Sequence, residues 1–306
     1  MDLTLLVNQL LNGLQYGLVL FLLSAGLSLV FGIMNVLNLA HGALYMVGGY
    51  VCALVATRFD SYPLGVAVGL IAGLVLGYLI ERLFMRRLYK RDHLEQVLAT
   101  FGLVLCFESG AKFLWGPSGR SVPLPGWLSG EVSLGGVALP EFRLFVVVAG
   151  LLVAALLWLL IARTRAGMLV RAAASDEWMA RALGVRTRLV YAAVFAAGAM
   201  LAALAGVLVA PVTGVSTTMG SSIVIIAFVV IIVGGVGSIR GAFVASLLIG
   251  VIDTMGRAYV PALLAQVASQ SAASAAGPAL TSVLIYLLMA VVLLVKPQGL
   301  FPAARR

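Results

Sequence analysis

Apolar residues in this chain run on without interruption instead of alternating with polar ones. The runs fall at about 3–31, 33–57, 63–83, 94–114, 143–162, 189–210, 222–235, 241–260 and 279–295. Most are about as long as a helix needs to cross a bilayer. In lipid every backbone N–H and C=O must be satisfied within the segment, which selects helix for runs of this kind. A membrane barrel of short alternating strands is excluded. The expected fold is an all-α integral membrane protein, a polytopic bundle of about eight or nine transmembrane helices with broken or re-entrant segments. Residues 1–306 form a single transmembrane domain.

Small residues mark where these helices approach one another. Gly13 and Gly17 are spaced for close contact in the first run, and Gly65, Gly69, Gly73 and Gly77 recur at every fourth position in the third. Gly198, Ala202, Gly206 and Ala210 repeat the device in the sixth. Such stripes let two backbones approach closely in a membrane.

Polar groups inside the runs are few. Asn35, Asn38 and His41 recur at three-residue spacing, so they share one face if the segment is helical. That face should point into the bundle, because polar side chains are disfavoured toward lipid. Gly42, Gly48 and Gly49 would permit an interrupted helix there. A second break, Gly234–Ala242 (GGVGSIRGA), carries Gly235, Gly237 and Ser238. His41-Gly42-Ala43-Leu44 and Arg240-Gly241-Ala242-Phe243 echo one another, each following a break and opening a span. Paired interrupted elements are what a transport site between repeats would use.

Between the fifth and sixth runs lies a polar island, Arg163–Arg188, with six arginines. Ser175-Asp176-Glu177 followed by Arg181 and Gly184 reads as a short helix. Ser175 can cap it, Asp176 and Glu177 sit at its positive end, and Gly184 supplies a left-handed exit. Glu177 and Arg181 form an i,i+4 pair. Segment 115–142, rich in proline and glycine, reads as a loop on the opposite side.

Composition agrees with the pattern. The chain is 62% hydrophobic and 10% charged, with mean hydropathy +1.13, whereas a soluble domain is about one quarter charged. The net charge of +9 lies in interhelical segments, so it reports orientation and not nucleic-acid binding. Arg82–Arg91, Arg163–Arg188, Arg240 and the Lys296–Arg306 tail fall on the cytoplasmic side, with the N-terminus and 115–142 outside. The acidic N-terminus reads as a retained span, not a signal peptide.

Several chemistries are missing. There is no GxxxxGK[ST] phosphate loop, so the chain should not bind and hydrolyse nucleotide itself. There is also no HExxH, no cysteine pair at metal spacing and no GxSxG elbow. No catalytic residue and no metal ligand is assigned. Cys52 and Cys106 read as buried free thiols, and His93 as solvated in a charged loop. Glu108/Lys112 and Asp253/Arg257 are two i,i+4 pairs near the outer ends of their spans, each expected to neutralise itself or to contact a zwitterionic solute or a binding protein.

Gly26–Tyr50, Arg171–Val185, Gly234–Ala242 and Lys296–Phe301 together resemble the permeases of branched-chain amino-acid ABC importers, the H-type subunit in particular, and the likeness covers nearly the whole chain. The resemblance implies a multi-pass bacterial inner-membrane subunit paired with a homologous M-type permease. Two cytoplasmic ATPase subunits would carry ATP and magnesium, so this chain binds no cofactor, and a periplasmic solute-binding protein would deliver solute. A cytoplasmic coupling helix docking on the ATPase maps onto Ala172–Gly184, implicating Ala173, Ala174, Ser175, Asp176, Glu177, Ala180, Leu183 and Gly184. The general EAA…G pattern is incomplete here, because no glutamate leads Ala172-Ala173-Ala174-Ser175. The pathway would involve Asn35, Asn38, His41, Gly42, Gly235, Gly237 and Ser238. Similar permeases serve urea, short amides or aromatic acids. A secondary transporter or channel would use the same broken helices without a capped cytoplasmic helix.

Overall fold

The computed structural model describes residues 3–89, 91–134, 137–266 and 269–301. It is a helical bundle. In chain order the helices are α1 (Leu3–Met34), α2 (His41–Phe59) and α3 (Tyr62–Ile80), then a π-turn over Glu81–Met85 and α4 (Arg86–Leu88). They continue as α5 (His93–Trp115), α6 (Glu141–Arg163), α7 (Arg165–Ser175) and α8 (Glu177–Ala182). The last four are α9 (Thr187–Thr213), α10 (Met219–Gly234), α11 (Ile239–Leu264) and α12 (Gln270–Val295). Eight helices, counting α3 through α4 as one, are long and apolar enough to cross a membrane. The ninth apolar helix, α10, has 16 residues, about 24 Å of helix. That is shorter than the roughly 30 Å of a hydrocarbon core.

Burial separates a core from a periphery. In their most apolar stretches α1, α2 and α9 are 78%, 72% and 72% buried, while α12 is 11% buried. A helix apolar on every side is stable toward lipid and toward protein alike, so composition does not distinguish the two. The small-residue stripes make that choice. Gly13 and Gly17 lie against the α11 backbone at Val251 and Leu247. The α3 stripe runs along α2 and α9, with Gly69 beside Val207 and the Gly48 carbonyl, and Gly73 and Gly77 against Ala203 and Ala199. Gly198 meets Gly26 backbone to backbone, and Gly206 meets the Tyr45 carbonyl.

Several expectations change. The break near Asn35 lies before the glycines, not at them: residues 35–40 are non-helical, and α2 runs unbroken through Gly42, Gly48 and Gly49. Asn35, Asn38 and His41 therefore do not share a helix face. Helix α11 runs on to Leu264, past the apolar run ending near 260, and α12 starts at Gln270, ahead of the run at 279, with Gly277 packed on Pro261. The loop 115–142 contains an antiparallel hairpin of β1 (Glu131–Leu134) and β2 (Val137–Pro140). Cys106 is exposed on α5, whereas Cys52 is buried. Residues 302–306 of the basic tail lie outside the described residues.

Candidate functional site

Helices α2 and α10 begin against one another inside the bundle. Gly42, in the first turn of α2, packs on the Gly220 backbone and on Val224 of α10, leaving no room for a side chain. Beside this contact His41 reaches back to α1 near Leu23 and Gly26. His41 and Asn38 are 1% and 0% exposed; neither polar atom of the Asn38 amide has a hydrogen-bond partner, and the His41 ring faces the Leu23 backbone without a well-formed hydrogen bond. Ser24 and Ser28 on α1 are likewise buried with unpartnered hydroxyls. Unpaired polar groups in an apolar interior cost about 1–3 kcal/mol each, so these side chains are held here against a free-energy penalty. Helix starts nearby favour anionic or polar groups through their free N–H groups and dipoles.

Asn35 stands apart. It is exposed, with a left-handed backbone at φ 52°. The segment behind it is tied to α5, where the Leu39 N–H donates to Thr100 Oγ1 at 3.3 Å and the Thr100 hydroxyl donates to the Gln96 carbonyl at 2.8 Å. Gln96 in turn donates to the Leu88 and Arg91 carbonyls. Thr100 and Gln96 are buried polar residues that sequence reasoning passed over, although polar residues in an apolar run were the available signal.

The Gly234–Ala242 break is a turn joining α10 to α11. Gly235 and Gly237 adopt φ of 106° and 77°, which side chains other than glycine rarely take. Ser238 caps α11, its hydroxyl accepting from the Gly241 N–H at 3.1 Å. Gly237 lies against Gly32 of α1. The near-terminal segment closes over the turn: the Leu300 and Phe301 N–H groups donate to the Val233 and Gly234 carbonyls at 2.8 and 2.9 Å. The two breaks thus lie at the same end of α1, the first holding the unpartnered Asn38 amide and the second tied to Ser238 and to the near-terminal segment by hydrogen bonds.

The polar island folds as two helices, not one. Ser175 ends α7, its hydroxyl donating to the Arg171 carbonyl, so it is not the cap expected of it. Asp176 is the cap of α8: its extended backbone breaks the helical path, and its carboxylate accepts from the Met179 N–H at 2.9 Å. Gly184 provides the left-handed exit at φ 84°, with the Gly184 N–H donating to the Arg181 carbonyl and the Val185 N–H to the Ala180 carbonyl. That pair of bonds is a Schellman ending. Glu177 and Arg181 pair across one turn, and the Arg181 Nε also donates to Thr187 at the start of α9 at 2.8 Å.

Of the residues expected on this surface, Ala173 and Ala180 face inward and hold the helices down, whereas Ala174, Ser175, Asp176, Leu183 and Gly184 are exposed. Glu177 is half-buried. Two further residues complete the outer face, Trp178 at 75% exposed and Met179 at 48%. Trp178 and Met179 thus leave an exposed apolar patch on a charged segment outside the apolar runs.

Behind α8 stands a buried carboxylate. Glu81 is fully buried at the π-turn, accepting from Arg86 Nε at 3.1 and 3.2 Å and from the Tyr89 hydroxyl at 3.1 Å. Burial, and then the Glu81 charge, raise the Tyr89 phenol above its ordinary range, so it remains a donor. The Tyr89 ring packs edge-on against Tyr191 of α9 at 5.7 Å, and Tyr191 lies beside Glu177 of α8. A π-turn inside a helix often marks a functional bend. Toward the opposite end, Asp253 pairs with Arg257 at 2.8 Å. Among the described residues Glu108 forms no ion pair with Lys112, and its buried oxygen is unpartnered.

Comparisons with known proteins converge. The family described as branched-chain amino acid transport system / permease component matches residues 9–293. The chain is 33% identical over 263 residues to a high-affinity branched-chain amino acid transport system permease protein, BraD, of Pseudomonas aeruginosa, covering 82% of this chain and 86% of that protein. It is 29% identical over 309 residues to the corresponding LivH protein of Salmonella typhimurium, covering 96% and 94%. A probable branched-chain amino acid transport permease protein of Methanocaldococcus jannaschii is 29% identical over 252 residues, covering 80% of this chain and 79% of that one. No solved structure matches the chain.

Proposed function

Because the chain belongs to the branched-chain amino acid transport permease family, we propose that it is the membrane-spanning subunit of an importer driven by separate ATPases. In this reading it carries branched-chain amino acids inward across the bacterial inner membrane. It is a transport component and not an enzyme. It pairs with a homologous permease and two cytoplasmic ATPase subunits, and it receives solute from a periplasmic binding protein.

The observation that carries the proposal is α8. It is a capped helix of six residues, closed at both ends by its own hydrogen bonds, with Trp178, Met179 and Leu183 turned outward. Residues 81–89, 91–92, 163–188, 235–238 and 296–301 share its end of the bundle, and positive charge concentrates there in Arg82, Arg86, Arg87, Arg91 and the six arginines of the island. By the positive-inside tendency that end is cytoplasmic, with the N-terminus outside and the C-terminus inside. An ATPase then meets α8 first. Closure of the ATPases on ATP pushes α8, and the two permeases rock between outward-open and inward-open arrangements. In this reading Asn38 and His41 line the path beside the Gly42–Gly220 contact.

Deletion of residues 175–183 from the reconstituted transporter tests the reading. Solute-stimulated ATP hydrolysis and uptake should both vanish while the protein still elutes as a folded particle. Uptake that survives the deletion rules out α8 as the coupling element.

A further inference from the structure

Helices α10, α11 and α12 enclose a pocket of about 200 Å³. Ser222, Ile225, Ile226 and Val229 line it from α10, at the three- and four-residue spacing of one helix face. That face is opposite the one on which Gly220 and Val224 meet Gly42. Ser282 and Ile285 line the pocket from α12, and Arg257 lines it from α11.

Arg257 lies about 27 Å along α11 from Ile239 at the charged end, still within a hydrocarbon core of roughly 30 Å. An arginine at such depth is costly toward lipid and turns to a protein interior or to water. Asp253 satisfies only part of it. The Asp253 Oδ2 accepts from Arg257 Nε at 2.8 Å, and the two terminal nitrogens of Arg257 make no hydrogen bond among the described residues. Those nitrogens form the edge of a guanidinium that grips a carboxylate through two parallel bonds.

The other polar groups of the pocket are acceptors. Ser222 and Ser282 donate to the Thr218 and Pro278 carbonyls of their own helices, both at 3.1 Å. Their oxygens are left to accept, which suits an ammonium. Counted from the charged end, both serines lie about 18–20 Å along their helices, so they share one level. Toward the charged end the lining turns apolar, with Ile225, Ile226, Val229 and Ile285. From Ser222 to Val229 is about 10 Å of helix. That is shorter than the roughly 15 Å of hydrocarbon in one leaflet, and it is the scale of a single small solute.

We propose that this pocket is a solute site of the permease, taking a small zwitterion with a branched apolar side chain. The carboxylate sits on Arg257, the ammonium on Ser222 and Ser282, and the side chain among the isoleucines and Val229. Asp253 is a positioning residue that holds the guanidinium. The site rests on the reading of this chain as a branched-chain amino acid permease.

The test is saturation-transfer NMR of L-leucine with the permease and the subunits that purify with it, in phosphatidylcholine nanodiscs without binding protein. Leucine uptake by the wild-type importer is measured beside it. Leucine should bind, and leucinamide, which has the same side chain and no carboxylate, should bind about tenfold more weakly. Arg257→Gln should weaken leucine about tenfold and bring the two compounds to within about twofold of each other. Arg257→Lys, which keeps the charge beside Asp253 without the fork, should recover part of the difference. Ile226→Phe fills the apolar part without touching the ion pair and should remove leucine binding from a protein that elutes as the wild type does. Leucinamide bound as tightly as leucine by the wild type overturns the proposal, as does leucine binding unchanged in Arg257→Gln or in Ile226→Phe. Loss of leucine binding in phosphatidylglycerol nanodiscs gives the pocket to a lipid headgroup instead. Uptake with no leucine signal overturns the site and leaves the importer reading standing, whereas a wild type that neither binds nor carries leucine removes both.

Discussion

Gly206→Ala adds one methyl group where α9 meets α2. The position for that methyl overlaps the Tyr45 carbonyl, and the Gly49 nitrogen lies at 3.2 Å. A backbone carbonyl inside a helix cannot rotate away, so the helices must separate by about an ångström, against the roughly 3.5–4.0 Å that non-bonded carbon contacts prefer. Separation also loosens Gly48 against Ala203, which depends on the same approach. Overpacking of this kind costs about 3 kcal/mol. At roughly 2–4 °C per kcal/mol for a chain of this order of size, the apparent Tm should fall by about 6–12 °C. Gly102→Ala on α5 is the control, because nothing lies within 4 Å of its added methyl. It should match the wild type or gain up to about 1 kcal/mol from helix propensity. Purified proteins heated at one fixed scan rate in one detergent, followed by the monodisperse peak on size exclusion, give the comparison despite irreversible unfolding. A Gly206→Ala protein within about 2 °C of wild type, or a Gly102→Ala protein that falls equally far, refutes the reasoning that backbone contact sets this interface.

Two other substitutions address the cytoplasmic end. Glu81→Gln should lower the apparent Tm by a few degrees, because Arg86 and Tyr89 lose a charged acceptor. Combining it with Arg86→Gln should recover part of the loss, and strictly additive effects in that double-mutant cycle would show that the pair is uncoupled. Asp176→Ala should destabilise α8 by about 1 kcal/mol and raise hydrogen exchange at Met179, whereas Ser175→Ala leaves that amide unchanged. Equal exchange in the two variants would mean that Asp176 is not the cap.

The chain's hydrophobic pattern determined much of this architecture by itself. Runs of about twenty apolar residues leave helix as the only backbone that satisfies its own hydrogen bonds in lipid, so the order of the spans was legible and their number was narrowed to eight or nine. The fourfold glycine stripes announced contacts that the structure makes, because only one face of each helix is small enough for them. Gly184 was readable as a helix end for the same local reason.

What is set by contacts between distant residues was not legible. Nothing in the order of residues shows that α1, α2 and α9 are core while α12 is periphery, since all are apolar throughout and only packing chooses between lipid and protein. Ser175 and Asp176 are both good caps, and their neighbours decide: the Ser175 hydroxyl is spent on the Arg171 carbonyl as α7 ends, leaving Asp176 to start α8. Glu81 resembles one more charge in a basic segment until folding buries it between Arg86 and Tyr89. Periodicity aligned Asn35, Asn38 and His41, but a left-handed turn at Asn35 sends the first to the surface and leaves the other two inside. Local chemistry determined the elements, and the tertiary structure alone decided which of their faces meet.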